Sequence, residues 1–173
     1  MTGADGDSPW LSDDQQQVWR LFLAVQALLP ASLDDQLARD GDLSHTSYIV
    51  LAVLSEAPQR WLRMSTLAGA VTMSASRVSH AVARLEERGL VRRERAPEDG
   101  RGNRAVLTDR GHEVLVAAAP GHAAAVKELV FGGLSAEQLR QFGDVLAIIE
   151  RRLRSEEASR GAPGRTSSDR PVT

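Results

Sequence analysis

Val18, Leu21, Phe22, Val25, Leu28 and Leu29 fall at steps of three and four, and Leu33 and Leu37 continue the stripe past Pro30. That period predicts an amphipathic helix over about residues 13–40. Pro30 has no amide hydrogen and its ring crowds the preceding turn, so it is expected to kink this helix or split it in two. Ser44 can cap a second helix whose apolar positions include Tyr48, Leu51, Ala52 and Leu54, ending near Ala57 and Pro58. A third short helix fits Ser65 to Val71. Ser74 then caps a fourth, which stops at Gly89, an expected residue just past a helix end. Near the other terminus Ser135-x-x-Gln138 reads as a capping box. Leu139, Phe142, Leu146, Ile149 and Leu153 follow it at steps of three, four, three and four, a seam of coiled-coil type. Such a seam can close on the first helix of its own chain or on a second chain.

In the fourth helix Val78, Val82 and Leu85 define the buried stripe, with Ala81 expected on its margin. The opposite face then centres on Ser76, His80 and Ala83, flanked by Ser79 on one side and by Arg77 and Arg84 on the other. Leu90 to Arg95 and Asn103 to Leu107 can pair as two strands across a loop of Ala96 to Gly102, where Pro97 and two glycines prevent helix. Arg101 would sit near the tip of that hairpin, with the Asp99 carboxylate two residues before it.

Charge sharpens this picture. The segment Arg60 to Arg104 holds ten Arg and five acidic residues, a balance of +5, whereas the rest of the chain has eleven basic and eighteen acidic residues, a balance of −7. A quarter of an acidic chain thus carries its positive charge, as a face that docks on a polyanion requires. Small hydroxyl side chains let a helix approach base edges, and Arg and His supply donors for guanine or phosphate. The fourth helix and hairpin together predict a winged helix-turn-helix that binds double-stranded DNA.

The 173 residues, 42% hydrophobic, are enough for one respectable core and predict one domain. With no cysteine, disulfides and thiolate metal sites are excluded. The uncharged run from Leu21 up to Asp34 contains Gln26 and Pro30 and is too short to cross a bilayer, and the acidic N-terminus lacks the basic start of a signal peptide, so no membrane partner and a cytoplasmic location are expected. Residues 1–9 are small, acidic and polar and 155–173 collect Ser, Arg, Gly and Pro without apolar periodicity, so 1–12 and 155–173 read as disordered tails.

Leu67-Ala, Ser74-x-Ser, Leu85-Glu-x-Arg-Gly-Leu-Val91, Asp99-x-Arg101 and Leu107-Thr-Asp-Arg-Gly111, in this order, resemble the multiple-antibiotic-resistance regulator (MarR) family of bacterial transcription factors, over about Gln15 to Leu153. The resemblance implies a mainly α fold with a small β-hairpin wing, in which a DNA-binding lobe of about 44–108 is joined to dimerisation helices of about 13–40 and 109–154. It implies an obligate homodimer, probing two major grooves with its recognition helices and the flanking minor grooves with a wing arginine, and a transcriptional regulator, a repressor in the first instance, released by a small aromatic or phenolic effector. Carried over, the recognition helix is Ser74 to Arg88 and the wing pair is Asp99 and Arg101. Pro30 and Pro120 depart from the family pattern, since they fall in the first and fifth helices.

The candidate DNA-binding residues are therefore Ser74, Ser76, Arg77, Ser79, His80, Arg84, Arg93, Arg95, Asp99, Arg101 and Arg104. Val18, Phe22, Leu139, Phe142, Leu146, Ile149 and Leu153 are candidates for a dimer interface, because five of the seven aromatic residues lie in the terminal regions and leave more apolar area there than a small lobe can cover. Family geometry makes Phe22, His45, Tyr48 and His112 candidates for an effector pocket. No catalytic residue, metal site or cofactor is expected: His45, His80, His112 and His122 lack metal-ligand spacing, and no phosphate-binding glycine loop or nucleophile elbow occurs. The alternative to a regulator is a winged-helix adaptor for protein contacts, which would have no need of Arg77, Arg84, Arg92, Arg93, Arg95, Arg101 and Arg104 in one lobe.

Overall fold

The structure, a computed structural model, describes residues 9–95 and 102–161. The chain, expected to form one domain, divides into two compact units, one ending at Val130 and the other beginning at Phe131.

In the first unit, helix α1 spans Asp13–Gly41 and opens on a reciprocal cap: the Gln15 amide donates to Ser12 Oγ and the Ser12 amide to Gln15 Oε1. It closes at Asp42, whose left-handed backbone (φ 52°) returns the amide to the Ala38 and Leu37 carbonyls. Pro30 lies inside α1 without splitting it. One missing amide donor in a ladder of 29 residues leaves enough flanking bonds to keep the helix whole. Only Leu33, Gln36 and Leu37 of α1 are buried, whereas Val18, Leu21, Phe22, Val25 and Leu28 of the stripe stay exposed in the single chain.

Helix α2 (His45–Glu56) is capped by Ser44 as expected, with the Ser47 amide donating to Ser44 Oγ, and buries Val50, Leu51 and Leu54. A short strand β1 (Trp61–Arg63) leads into α3 (Met64–Ala70) and α4 (Ala75–Glu87). Strands β2 (Val91–Arg95) and β3 (Asn103–Leu107) pair antiparallel at the positions expected of the wing, and β1 adds to the other edge of β3, giving the order β1-β3-β2. β1 carries no period-2 signature of its own, being three half-buried residues set by pairing Trp61 with Val106 and Leu62 with Ala105.

Helix α5 (Asp109–Val126) carries Pro120 without interruption and runs into a π-helical turn, Lys127–Phe131. The stretch Asp109–Phe131 has the length and mean hydropathy, 1.4, to cross a bilayer. Leu115 and Ala118 of this stretch instead join the core of the first unit, with Leu37, Leu51, Leu54, Leu67, Val78, Val82, Leu85, Leu90 and Ala105. Ala81, expected at the margin of the α4 stripe, is fully buried in this core, because α4 packs against both α2 and α3 and so hides a wider sector than one stripe.

In the second unit, α6 spans Ala136–Gly161 behind the expected capping box, with the Gln138 amide donating to Ser135 Oγ and the Ser135 amide to Gln138 Oε1. The helix corrects the expectation of a disordered tail from residue 155, because 155–161 are helical. Glu150 with Arg154 and Glu156 with Arg160 form i,i+4 ion pairs across this end, in the Glu-first order that suits a helix. Leu139, Phe142, Leu146, Ile149 and Leu153 are all exposed in the single chain.

Candidate nucleic-acid interface

The hydrophobic stripe of α4 decides which side chains face outward. Val78, Ala81, Val82 and Leu85 are turned into the core, and Ser76, Arg77, Ser79, His80 and Arg84 are left exposed on the other side. Ser74 is exposed too, but its hydroxyl accepts the Arg77 amide at 3.3 Å and serves as the N-cap. Ala83, expected at the centre of the outer face, is half-buried.

The wing arginines divide into two kinds. Arg95 is exposed at the end of β2, opposite Asn103. Arg104 is held from two sides: its Nε and Nη2 donate to Glu94 Oε2 at 2.9 and 2.6 Å, and its guanidinium lies 4.7 Å from the centre of the Trp61 ring. Arg92 donates to the other Glu94 oxygen at 2.6 Å. These hydrogen bonds, from Arg92 first and Arg104 second, hold the Glu94 carboxyl below the usual carboxylate range. Arg93 is likewise engaged, donating from Nη2 to the Ser79 carbonyl at 2.7 Å. Asp99 and Arg101 lie outside the described residues.

Arg88 is a contact that sequence reasoning missed. It closes α4 and donates to the Asp42 carbonyl at 2.5 Å and the Gly41 carbonyl at 3.5 Å, with the Asp42 carboxylate 3.7 Å away. The end of α4 is thereby tied to the end of α1. A basic residue one position before the helix-ending glycine, where exposed carbonyls gather, was the available signal. Beside it, a groove of about 420 Å³ is lined by Asp34, Asp35, Asp42, Ser44, Arg84 and Arg88 among others.

Of the effector-pocket candidates, His45 and Tyr48 are brought together, and a residue set aside at sequence level, His122, joins them from α5. The His122 ring lies 4.2 Å from that of Tyr48 and 5.5 Å from that of His45. The His45 amide donates to Asp34 Oδ1, and His122 Nδ1 is buried without a hydrogen-bond partner among the described residues. Burial pushes both imidazoles below the ordinary value of 6.5; Asp34 opposes this at His45, and His45 reinforces it at His122. Burial pushes the Tyr48 phenol up. Phe22 and His112 are not part of this cluster. Phe22 precedes Asp34 by twelve residues, roughly 18 Å of helix, and packs on Trp19 instead, while His112 is ten residues, roughly 15 Å, from His122 along α5. Among the described residues no three His, Cys, Asp or Glu side chains gather as a metal would need.

The architecture recurs in solved structures. Sco3205 of Streptomyces coelicolor, described as a MarR family transcriptional regulator and solved in complex with DNA, is 46% identical, with a TM-score of 0.79 over 83% of this chain and 94% of its own. AbsC, another MarR family regulator of that organism, is 39% identical over 86% of this chain and 99% of its own, also with a TM-score of 0.79. The transcriptional regulator HosA of Escherichia coli O111:H- is 34% identical over 101 residues, 58% of this chain and 73% of its own. The chain belongs to the MarR family of transcriptional regulators. The family model, described as MarR family, matches residues 41–102, from the end of α1 into the wing. In this MarR-family chain the segment Leu107-Thr-Asp-Arg-Gly111 has a structural task. Thr108 Oγ1 donates to the Gly89 and Leu90 carbonyls at 2.8 and 3.0 Å and accepts the Gly111 amide at 3.0 Å, joining the end of α4 to the start of α5.

Proposed function

We propose that this chain binds double-stranded DNA sequence-specifically as a homodimer in the cytoplasm and represses transcription from an inverted-repeat operator. The observation that carries the reading is the exposed face of α4. Ser76, Arg77, Ser79, His80 and Arg84 offer small hydroxyls and positive donors on one helix surface, beside a wing that contributes Arg95. Residues of this kind suit the base edges of a major groove, and Arg101, which the sequence puts between the two wing strands, suits a narrow minor groove. The segment 44–108 is the DNA-reading lobe in this scheme, and 13–40 and 109–154 supply the dimer contacts.

Homodimerisation is supported by exposed apolar side chains. Val18, Phe22, Leu139, Phe142, Leu146, Ile149 and Leu153 all meet solvent in the single chain, an arrangement that a soluble regulator relieves with a second copy. A small aromatic or phenolic effector bound at the His45, Tyr48 and His122 cluster would release the regulator from its operator. His45 and His122 are candidate partners for a phenol or carboxylate there, and the unpartnered His122 Nδ1 supports that assignment.

The deciding experiment is a selection of bound duplexes from random oligonucleotides by the purified protein, followed by titration of the recovered sequence at two salt concentrations. An inverted repeat whose affinity falls with salt is expected. Affinity indifferent to salt, or recovery of no common sequence, would favour the adaptor reading instead.

A further inference from the structure

Arg93 belongs by sequence to the basic wing, yet its side chain is turned onto α4. Nη2 donates to the Ser79 carbonyl at 2.7 Å, Nε lies 3.7 Å from Glu86 Oε2, and the Arg93 amide donates to Glu86 Oε1 at 3.0 Å. Ser79 and Glu86 are seven residues apart, about 10 Å along the helix, so a single residue of β2 grips two turns of α4. The Arg93 side chain is only 29% exposed, and its buried Nε has no hydrogen-bond partner among the described residues, so its 3.7 Å approach to Glu86 is an ion pair and not a hydrogen bond. A helix carbonyl keeps a second lone pair for such a donor, and a planar guanidinium fixes direction as well as distance. Glu86, for its part, places a negative charge on the groove-facing lobe, whose net charge over Arg60 to Arg104 is +5. That charge opposes DNA binding on its own, and its pairing with Arg93 gives it a purpose.

We infer that Arg93 is a positioning residue for operator recognition: with Glu86 it sets the angle between α4 and the β2–β3 wing, and so governs which sequence is read without contacting DNA itself. This rests on the reading of α4 as the helix that enters the groove. Hydrogen bonds to base edges demand distance and direction, whereas contacts of flexible side chains with phosphate tolerate displacement. A tilted α4 therefore loses cognate binding while keeping most of its affinity for any duplex.

The test compares Arg93→Ala, Glu86→Gln and Arg77→Ala in the full-length protein, each checked for folding by thermal melting. The probes are the duplex recovered by selection and a scrambled duplex of equal length. For Arg93→Ala and Glu86→Gln the ratio of cognate to scrambled affinity should fall by about tenfold or more, with the salt slope on scrambled DNA unchanged. A direct phosphate contact by Arg93 gives a different result. Arg93→Ala would then weaken both duplexes alike and flatten the slope by about 0.9 per lost contact, while Glu86→Gln, which removes a negative charge beside Arg93, would tighten both. Either that pattern or an unchanged ratio overturns the inference, and Glu86→Gln decides the matter should Arg93→Ala fail to fold. Arg77→Ala reports on α4 independently. If it leaves the ratio intact, the groove reading is wrong; if it lowers the ratio and Glu86→Gln does not, only the role of Arg93 is lost.

Discussion

A methyl group added to Gly111 would lie 2.0 Å from the Leu90 carbonyl oxygen and 2.8 Å from Leu107 Cδ1. The first of these neighbours is backbone and cannot swing aside. Gly111→Ala should therefore destabilise the lobe by about 2–3 kcal/mol, as overpacked sites do. Denaturant unfolding checks this, and a loss under about 0.5 kcal/mol would show that α5 shifts freely at its first turn. His45 and His122 make a second prediction. Both are pushed below 6.5 by burial, so between the folded values and about 6.5 the unfolded chain holds more protons. Stability is full above that range and falls as the solution is acidified through the folded values. The His122→Gln variant should show a smaller loss between pH 7.5 and 5.5 than the parent; equal losses in denaturant titrations would exclude this pair as the cause. At Arg77, truncation to Ala should cost on the order of 1–3 kcal/mol per half-site on the cognate sequence and much less on random DNA, measured by competition at fixed salt.

The side-chain caps of α4 and α5 differ in reach. Ser74 accepts a single amide and serves α4 alone, whereas Thr108 accepts the Gly111 amide and also donates to the Gly89 and Leu90 carbonyls. Ser74→Ala should cost about 1 kcal/mol. Thr108→Ala should cost more, about 2 kcal/mol, because it also takes the hydroxyl from the Gly89 carbonyl, whereas the Leu90 carbonyl keeps the backbone amide of residue 108. Equal losses in paired unfolding experiments would mean that water replaces the Thr108 hydroxyl at no cost. The first four helices, the last helix and the two wing strands were legible because their signals are local, whereas the fifth helix came only with the family resemblance. β1 was not, since a three-residue strand takes its identity from its β3 partner. The helical stretch 155–161 was missed for a related reason: i,i+4 ion pairs stabilise a helix without an apolar stripe to announce it.

At the scale of the whole molecule, the apolar seam of α6 is exposed among the described residues, which supports the proposed dimer. Replacing Leu146 and Ile149 together by Asp would bury two carboxylates without partners in that interface, so the variant should be monomeric or unfolded by light scattering. A folded monomer formed by the unmodified protein at micromolar concentration would refute the assembly. A two-fold dimer also requires half-site centres about one helical turn apart, ~10 base pairs, in the selected duplex.

Periodicity, caps and charge were enough to determine the α4 face, the wing strands and the concentration of arginine, and the ordered motifs from Leu67 to Gly111 carried the family resemblance, because each is written in residues close together along the chain. Which arginines remain exposed was a tertiary decision. Arg77 and Arg84 stay outward, while Arg93 is drawn onto Ser79 and Glu86, Arg104 onto Glu94 and Trp61, and Arg88 onto the end of α1. The same holds for His122, which meets His45 and Tyr48 only because α5 packs beside α2, 74 or more positions along the chain. A guanidinium or an imidazole has the same composition on a surface as in a contact, so its role depends on acceptors and rings that only the folded chain brings within reach.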